Sequence, residues 1–427
     1  MTPFLEELAA RRRFGMKPGL DTIRALCDAL GNPQRSFKAI HVAGTNGKGA
    51  VCAILDAALR NVRLFDCSID RLRVGRYTSP HLVRINERFF IDGMPVDDAS
   101  LERVASLVNR TIERSNNRTI RELTFFEALT AVAFKLYAEA KVDYAILECG
   151  LGGRLDATNV CEPKLCVITK IGLDHCDWLG DTVEKIAAEK AGIIKPGVPV
   201  VLGRNDQSVR AVVEARAKEV GAPFYYAPDL ASENEIPGDF SLAGSFNREN
   251  AVTALAALKV IEQSNNRTIE QFSRVIWPGR FQRVGNFIVD GAHNPPAARA
   301  LAEALGATIE HSNNRTIKQF SLVCGFCGDK DVGEVLSILA PLVKKGFAVK
   351  TNNPRSLSAE ATAAKMREAG IDATPCSSLR SAIEQSNNLN NRTIICGSLF
   401  LAGEALVELG AYPWGISRFD PAELLKD

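Results

Sequence analysis

Short apolar runs alternate with amphipathic stretches along nearly the whole chain, and this alternation restricts the fold more than any other feature. Strands joined by intervening helices pair in parallel, because a parallel pair needs a long crossover connection. The expected strands are Ala39 to Ala43, Tyr144 to Leu147, Leu165 to Thr169 and Val198 to Leu202. A second series follows "WPGRFQRVG": Phe287 to Asp290, Ser321 to Gly325, Phe347 to Lys350 and Thr393 to Gly397. Helices are expected over Pro296 to Leu305 and Val332 to Leu342, among others. A chain of 427 residues exceeds what one core serves. The two series therefore imply an α/β protein divided near Val284, with a larger domain over residues 1–284 and a smaller one over 285–427.

Composition removes several function classes. Lysine and arginine total 52 against 50 acidic residues, which gives no general attraction for nucleic acid or an anionic membrane. An anionic ligand must then meet local positive charge. Eleven scattered cysteines in a chain with 46% hydrophobic residues suit a reducing compartment better than a disulfide scaffold. The pair Cys324 and Cys327 lacks a second pair at zinc-ligand spacing. The N-terminus carries its basic residues after its apolar ones, unlike a secretory signal, and no apolar segment reaches membrane-spanning length. A cytoplasmic protein, acting as a monomer on small molecules, is expected.

The hexapeptide "SNNRTI" begins at Ser115, Ser264 and Ser312, and a lengthened form begins at Ser386. Irregular spacing rules out a solenoid, whose repeats need a nearly fixed period. The copies read as neutral polar inserts where helix gives way to strand, since lengthening an exposed loop costs little closure entropy. The charged stretch "NVRLFDCSIDRLRVG", Asn61 to Gly75, has no functional reading.

Three strand ends carry chemistry. In "AIHVAGTNGKGAVCAILDAAL" a β-rich run enters a glycine-rich turn and then a helix starting near Lys48. Glycines let amides approach phosphate oxygens, a helix N-terminus favours negative charge, and Lys48 adds a point charge. The spacing departs from the common phosphate loop, with Gly44 and Gly47 separated by two residues; a plain tight turn would look similar. In "VDYAILECGLGG" a strand ends in Glu148, and in "LCVITKIGLDHCDWLG" another delivers Asp174 and His175. Carboxyl ends of parallel strands border the crevice where open α/β sheets bind ligands. Phosphate amides, a carboxylate and an imidazole suit a nucleotide with magnesium. Taken singly, Glu148 could be a capping carboxylate and His175 a core histidine.

The set "HVAGTNGKG", "YTSPHLVRINERFFIDG", "LTFFEALTAVAF", "LECGLGGRLDATNV", "LDHCDWLGDTVEKIAAEKAGIIK", "WPGRFQ", "DGAHNP" and "GSLFLAGEAL", from about Arg12 to Glu408, closely resembles bacterial bifunctional folylpolyglutamate synthase/dihydrofolate synthase, of the Mur ligase superfamily. "GGRLDATN" and "GSLFLAGEAL" favour the folate branch over the cell-wall branch. The resemblance implies a P-loop ATP-binding domain followed by a smaller Rossmann-like ligase domain. It implies that Gly44, Thr45, Asn46, Gly47, Lys48 and Gly49 hold the ATP phosphates. Ser79, Glu148 and His175 match magnesium ligands, for one or two ions, and Lys190 matches a lysine that is carbamylated in relatives. Asn250, Arg280, Asp290 and His293 match residues around the nucleotide. Thr124, Phe126 and Asp156 match the pteridine pocket, where a carboxylate can accept two parallel hydrogen bonds from an amino-pyrimidinone and an aromatic ring can stack on it. Lys48, Glu148, His175 and Lys190 are the expected catalytic set.

The resembled loop continues with Ser or Thr, so Ala50 removes one expected magnesium ligand, and weaker metal or ATP binding follows. The implied reaction is ATP-dependent ligation of L-glutamate to dihydropteroate, giving dihydrofolate, and to tetrahydrofolate, giving polyglutamates. Closure of the two domains about "WPGRFQ" would assemble the site. A folate-binding relative without ligase activity and a regulatory NTPase are the competing readings, separated from a ligase by whether phosphate release needs glutamate.

Overall fold

The computed structural model describes residues 11, 19–60, 71–261, 266–310, 320–328, 331–389 and 391–415. Its first eight strands are β1 (Lys38–Ala43), β2 (Val74–Tyr77), β3 (Phe89–Ile91), β4 (Met94–Pro95), β5 (Tyr144–Glu148), β6 (Pro163–Ile168), β7 (Val200–Leu202) and β8 (Phe224–Tyr226). They form one sheet in the order β4-β3-β2-β5-β1-β6-β7-β8. The other six are β9 (Gln282–Val284), β10 (Phe287–Val289), β11 (Phe320–Cys324), β12 (Val343–Ala348), β13 (Ala373–Pro375) and β14 (Thr393–Cys396), in the order β13-β12-β11-β14-β10-β9.

Both sheets are mainly parallel, and every strand expected from the sequence is present within a few residues. The sequence reading left out the inner strand β2, and β3, β4, β8, β9 and β13 at or next to the edges. β3 and β4 run antiparallel, as does β9 against β10. Each arises from a two-residue turn, Asp92-Gly93 and Gly285-Asn286, and both residues of the first have positive φ. Asp-Gly between short apolar runs is a hairpin signal that the search for crossover helices passes over. Gln282–Val284, which the sequence reading assigned to the larger domain, pairs with the second sheet.

Alternating side chains of the first sheet enter separate cores. Ile40, Val42 and Ile146 pack beneath the helices Lys48–Leu59 and Ser245–Val260, whereas Ala39, Ala145 and Leu147 pack against the helices Asp98–Arg114 and Phe125–Ala140. This period of two is the geometry of a strand buried on both faces. The second sheet divides in the same way, with Ile394 and Leu322 on one face and Ile395 and Val323 on the other. β1 has a parallel neighbour on each side, β5 and β6. The chain leaves β1 toward β2 on one side and later crosses from β5 to β6 on the other, so the carboxyl end of β1 lies at a topological switch point.

Two polar inserts differ from the sequence reading. Ser115 closes the helix Asp98–Arg114, and Asn117 then caps the short helix Arg118–Arg121; Asn266–Glu270 is also helical. At the first copy helix gives way to helix, because Asn and Ser serve as caps as readily as turn residues: Asn117 Oδ1 accepts from the Thr119 amide at 2.9 Å. The Ser386 copy does join the helix Leu379–Asn387 to β14. The Ser312 copy, Ser264 itself and residues 61–70 lie outside the described residues. Among the described residues no helix is long and apolar enough to cross a membrane.

Candidate active site

The glycine-rich turn leaves β1 and enters the helix Lys48–Leu59, as expected. Gly44 has φ +149°, and a Cβ there would lie 1.8 Å from Thr169 Oγ1; Gly47 has φ +88°, and its Cβ would lie 2.1 Å from Asn250 Oδ1. Any larger residue at either position would meet both backbone strain and a collision. The turn is fastened to the segment after β6. The Thr45 and Asn46 amides donate to Lys170 O at 2.9 and 3.1 Å. Thr169 Oγ1 donates to Asn46 O at 2.7 Å. The Trp277 ring covers the first helical turn, where a Cβ on Gly49 would come within 2.2 Å of it.

Two ammonium groups converge here. Lys48 Nζ donates to Gly44 O at 3.1 Å and Thr45 O at 3.2 Å, and Lys190 Nζ donates to Gly44 O at 2.8 Å. Lys190 is buried at the end of the helix Val183–Ala191. Burial, and then the charge of Lys48, pull its pKa down to about 7. A substantial neutral fraction of this amine therefore exists near neutral pH.

Glu148 ends β5 beside Val42 of β1 and is 4% exposed. Its carboxylate accepts one hydrogen bond, from the Ser79 amide to Oε2 at 3.0 Å. Burial pushes its pKa up, against the opposing pull of Lys48, the Ser79 amide, Arg280 and Arg76. The Ser79 backbone amide and the Glu148 carboxylate are thus in contact. His175 stands apart in character: it has φ 52°, its side chain is 48% exposed, and Nε2 lies 3.9 Å from Asp174 Oδ1. Among the described residues no three His, Cys, Asp or Glu side chains are gathered to hold a metal. A buried carboxylate with one oxygen free of hydrogen bonds from the described residues nevertheless fits a hard divalent cation that keeps water and phosphate oxygens as its other ligands. Ala50 is 5% exposed and belongs to the apolar core under the first sheet.

The second domain reaches the same crevice. Asp290 follows β10, is buried, and accepts from the Phe281 and Ala292 amides, each at 2.7 Å. Arg280 lies against Gly291, where a Cβ would come within 2.2 Å of its guanidinium. Its positive charge lowers the pKa of both Glu148 and Asp290 against the effect of burial. His293 Nδ1 pairs with Gly291 O at 2.8 Å. A cleft between the domains is lined by Thr78, Pro80, Glu87, Trp277, Arg280 and Trp414.

The residues expected around a pteridine are heavily bonded already. Thr124 caps the helix Phe125–Ala140, donating from Oγ1 to Glu127 Oε2 at 2.8 Å and accepting from Glu127 N at 3.2 Å. The Phe126 ring lies 6.0 Å from that of Tyr77, and its edge abuts Gly150. Asp156 Oδ2 accepts from the Gly150 and Leu151 amides, each at 2.9 Å. Oδ1 accepts from Thr158 N at 3.0 Å and Thr158 Oγ1 at 2.5 Å. All four lone-pair positions of the carboxylate are occupied by its own loop. The sequence reading took Asp156 to have both oxygens available; a docking ring must instead share or displace one of these donors.

Sequence reasoning missed three residues. Arg76, in β2, is 3% exposed, pairs with buried Asp56 at 3.3 Å and lies over the Phe90 ring at 3.8 Å. Glu87 accepts from the amides of Leu82, Val83 and Arg84 and, across the domain boundary, from Tyr412 Oη at 2.7 Å. His41 sits fully buried within β1. Each was visible as a polar residue inside an apolar or strand-forming run.

The Mur ligase middle domain matches residues 99–227, and the Mur ligase, glutamate ligase domain matches residues 279–398. The dihydrofolate synthase/folylpolyglutamate synthase of Mycobacterium tuberculosis is 32% identical over 456 residues, covering 93% of this chain and 91% of that protein. FolC of E. coli, solved in complex with DHPP and ADP, superposes with a TM-score of 0.82 at 29% identity, covering 96% of this chain and 98% of that one. A bifunctional folylpolyglutamate synthase/dihydrofolate synthase solved with Mn, AMPPNP and L-glutamate bound gives 0.79 at 31% identity, again over 96% and 98%. With both Mur ligase domains in order and relatives matched over nearly their whole length, the chain belongs to the dihydrofolate synthase/folylpolyglutamate synthase family.

Proposed function

We propose that this protein is an ATP-dependent amide ligase that joins L-glutamate to dihydropteroate and to tetrahydrofolate, in the cytoplasm and as a monomer. The observation that carries the reading is the convergence at one crevice of a glycine-rich turn at a helix N-terminus, a buried carboxylate with one backbone hydrogen bond, and Arg280 from the domain junction. Relatives solved with ADP, or with AMPPNP, Mn and L-glutamate, support a nucleotide and a divalent metal. We place the division between the two domains at Trp277 to Phe281, ahead of the strand Gln282–Val284 that pairs with the second sheet, rather than at Val284.

In this reading Gly44, Thr45, Asn46, Gly47, Lys48 and Gly49 hold the ATP phosphates, with Asn250, Arg280, Asp290 and His293 about the rest of the nucleotide. Thr124, Phe126 and Asp156 receive the pterin. Ser79 and Glu148, with His175 at the rim, hold magnesium, which would neutralise charge on the phosphate oxygens. The pterin-borne carboxylate attacks the γ-phosphorus, ADP departs, and an acyl phosphate remains. The neutral α-amine of glutamate then attacks the acyl carbon, and the tetrahedral adduct collapses to an amide as inorganic phosphate leaves. Lys48 and Arg280 stabilise charge on the transferred group, the protein's principal contribution in phosphoryl transfer.

Lys190 in this reading becomes a carbamate. Only the neutral amine attacks carbon dioxide, and burial beside Lys48 supplies that form near pH 7. The product is an anion, which Lys48 would favour. Phosphate release from ATP and magnesium, measured with each pterin in the presence and absence of glutamate, tests the whole proposal. Release that requires both pterin and glutamate is expected; release without glutamate would mark an NTPase, and no release a binding protein.

A further inference from the structure

His41 is the one ionisable side chain in β1 after Lys38, and it is fully buried. It projects from the face opposite Ile40 and Val42, toward the loop that follows β5. Its Nε2 lies 2.8 Å from Thr158 Oγ1 and 3.1 Å from Cys149 Sγ, while Nδ1 has no hydrogen-bond partner among the described residues. Thr158 Oγ1 is in turn 2.5 Å from Asp156 Oδ1. A carboxylate is the stronger acceptor, so the single hydroxyl proton of Thr158 goes to Asp156. The hydroxyl oxygen then accepts from His41, which fixes the ring as the Nε2–H tautomer. Burial drives the His41 pKa down to about 3, so the ring remains a neutral donor.

A buried imidazole with one nitrogen unpaired is unfavourable packing, and such a group calls for an explanation. We propose that His41 is a positioning residue for the pterin site: by donating to Thr158 Oγ1 it anchors in place the hydroxyl that donates to Asp156, and so helps fix the carboxylate plane. The geometry supplies the alternative that His41 prevents, because Thr158 Oγ1 also lies 3.6 Å from Cys149 Sγ and could turn toward it. Asp156 holds the Gly150 and Leu151 amides, and Gly150 abuts the edge of Phe126. The relay therefore sets the carboxylate, the loop strip and the aromatic wall together. This inference rests on the pterin reading of Asp156.

The test compares His41→Gln, His41→Asn and Asp156→Asn, with KM for the pterin substrate and for ATP measured side by side. Glutamine can place an amide nitrogen where Nε2 stands, whereas asparagine is too short. One hydrogen bond in a charged network corresponds to roughly a five- to tenfold change. His41→Asn is expected to raise the pterin KM by that factor with the ATP KM nearly unchanged, and His41→Gln to recover most of it. Because β1 runs directly into the phosphate loop, a merely structural lesion would raise the ATP KM as well. That result, or glutamine no better than asparagine, overturns the proposal. If Asp156→Asn leaves the pterin KM unchanged, the pocket reading fails and the relay with it. If Asp156→Asn raises the pterin KM and His41→Asn does not, the relay alone fails. Should His41→Asn not fold, Thr158→Val against Thr158→Ser interrogates the same bond, with serine expected to retain wild-type pterin KM and valine to lose it.

Discussion

Glu148 and Asp156 lie on the same sheet edge, close in sequence and equally buried, yet they are bonded in opposite ways. Glu148 accepts one backbone hydrogen bond and is surrounded by the charges of Lys48, Arg280 and Arg76. Asp156 accepts four hydrogen bonds from its own loop. Burial pushes the pKa of both upward, but what offsets it differs: cations and one amide for Glu148, three amides and a hydroxyl for Asp156. An under-bonded buried carboxylate is a binding group waiting for a ligand, whereas a saturated one is first a structural clamp. The two regions should therefore respond oppositely when each carboxylate becomes an amide.

Glu148→Gln should have the largest effect on activity and the smaller one on stability. Loss of the charge proposed to hold magnesium should lower kcat by about 10²- to 10³-fold, the scale of removing one electrostatic group from a preorganised site. Glutamine can still accept from the Ser79 amide. A raised folded pKa means the folded state holds the Glu148 proton more tightly than the unfolded chain does. Its charged form therefore disfavours folding above the unfolded value of 4.5. Thermal unfolding of Glu148→Gln at pH 7 should accordingly show an unchanged or higher Tm. A Tm well below wild type would break the contrast from this side.

Asp156→Asn should behave in the reverse order. Asparagine turns one acceptor group into a donor that faces the donors of Gly150 and Leu151 or of Thr158. Leaving such groups unsatisfied costs about 1–3 kcal/mol each. A clear fall in Tm is expected, with a rise in pterin KM and a smaller change in kcat than for Glu148→Gln. Equal Tm values for the two variants would show that bonding number does not distinguish the regions.

How far this contrast was legible in the sequence depends on the kind of interaction. The glycine-rich turn, Glu148 and the switch-point crevice could be placed because strand period and loop chemistry are local signals. Asp156 was found as a residue, but its saturation was not, because the amides of Gly150 and Leu151 reach it only through the curl of the loop. His41 and Arg76 read as irregularities in strands, since their partners Thr158 and Asp56 are distant in sequence. The Glu87–Tyr412 bond spans the two domains and has no local signature at all. The antiparallel edges were missed for a different reason: their Asp-Gly and Gly-Asn turns are local, but the strands they join are only two or three residues long, too short to show alternation.

Lys190 lies between the two regions and sharpens the comparison by pH. Its pKa of about 7 against 10.5 in the unfolded chain means the folded state releases its proton first. Through this group stability rises between about pH 7 and 10.5, and the neutral amine becomes dominant above about 7. Activity should therefore increase with added bicarbonate most strongly at and above pH 7, with a matching mass increase on Lys190. Full activity in rigorously bicarbonate-free buffer would remove the carbamate from the mechanism while leaving the two carboxylates as they are.

Ala50→Ser should give the smallest change and probes the Glu148 side alone. The side chain is 5% exposed at the start of the helix Lys48–Leu59, one residue beyond the turn that Lys48 folds over. A hydroxyl there can join the magnesium shell in place of water, so the magnesium concentration for half-maximal activity should fall by a few-fold, consistent with one modest polar contact. The gain should be offset by a slight loss of stability, because the same position packs in an apolar core. The pterin KM should not move, since Asp156 and its loop project from the other side of the sheet edge. A shift in pterin KM without a shift in magnesium dependence would mean that the two regions are coupled through β1, and the division drawn between them would have to be abandoned.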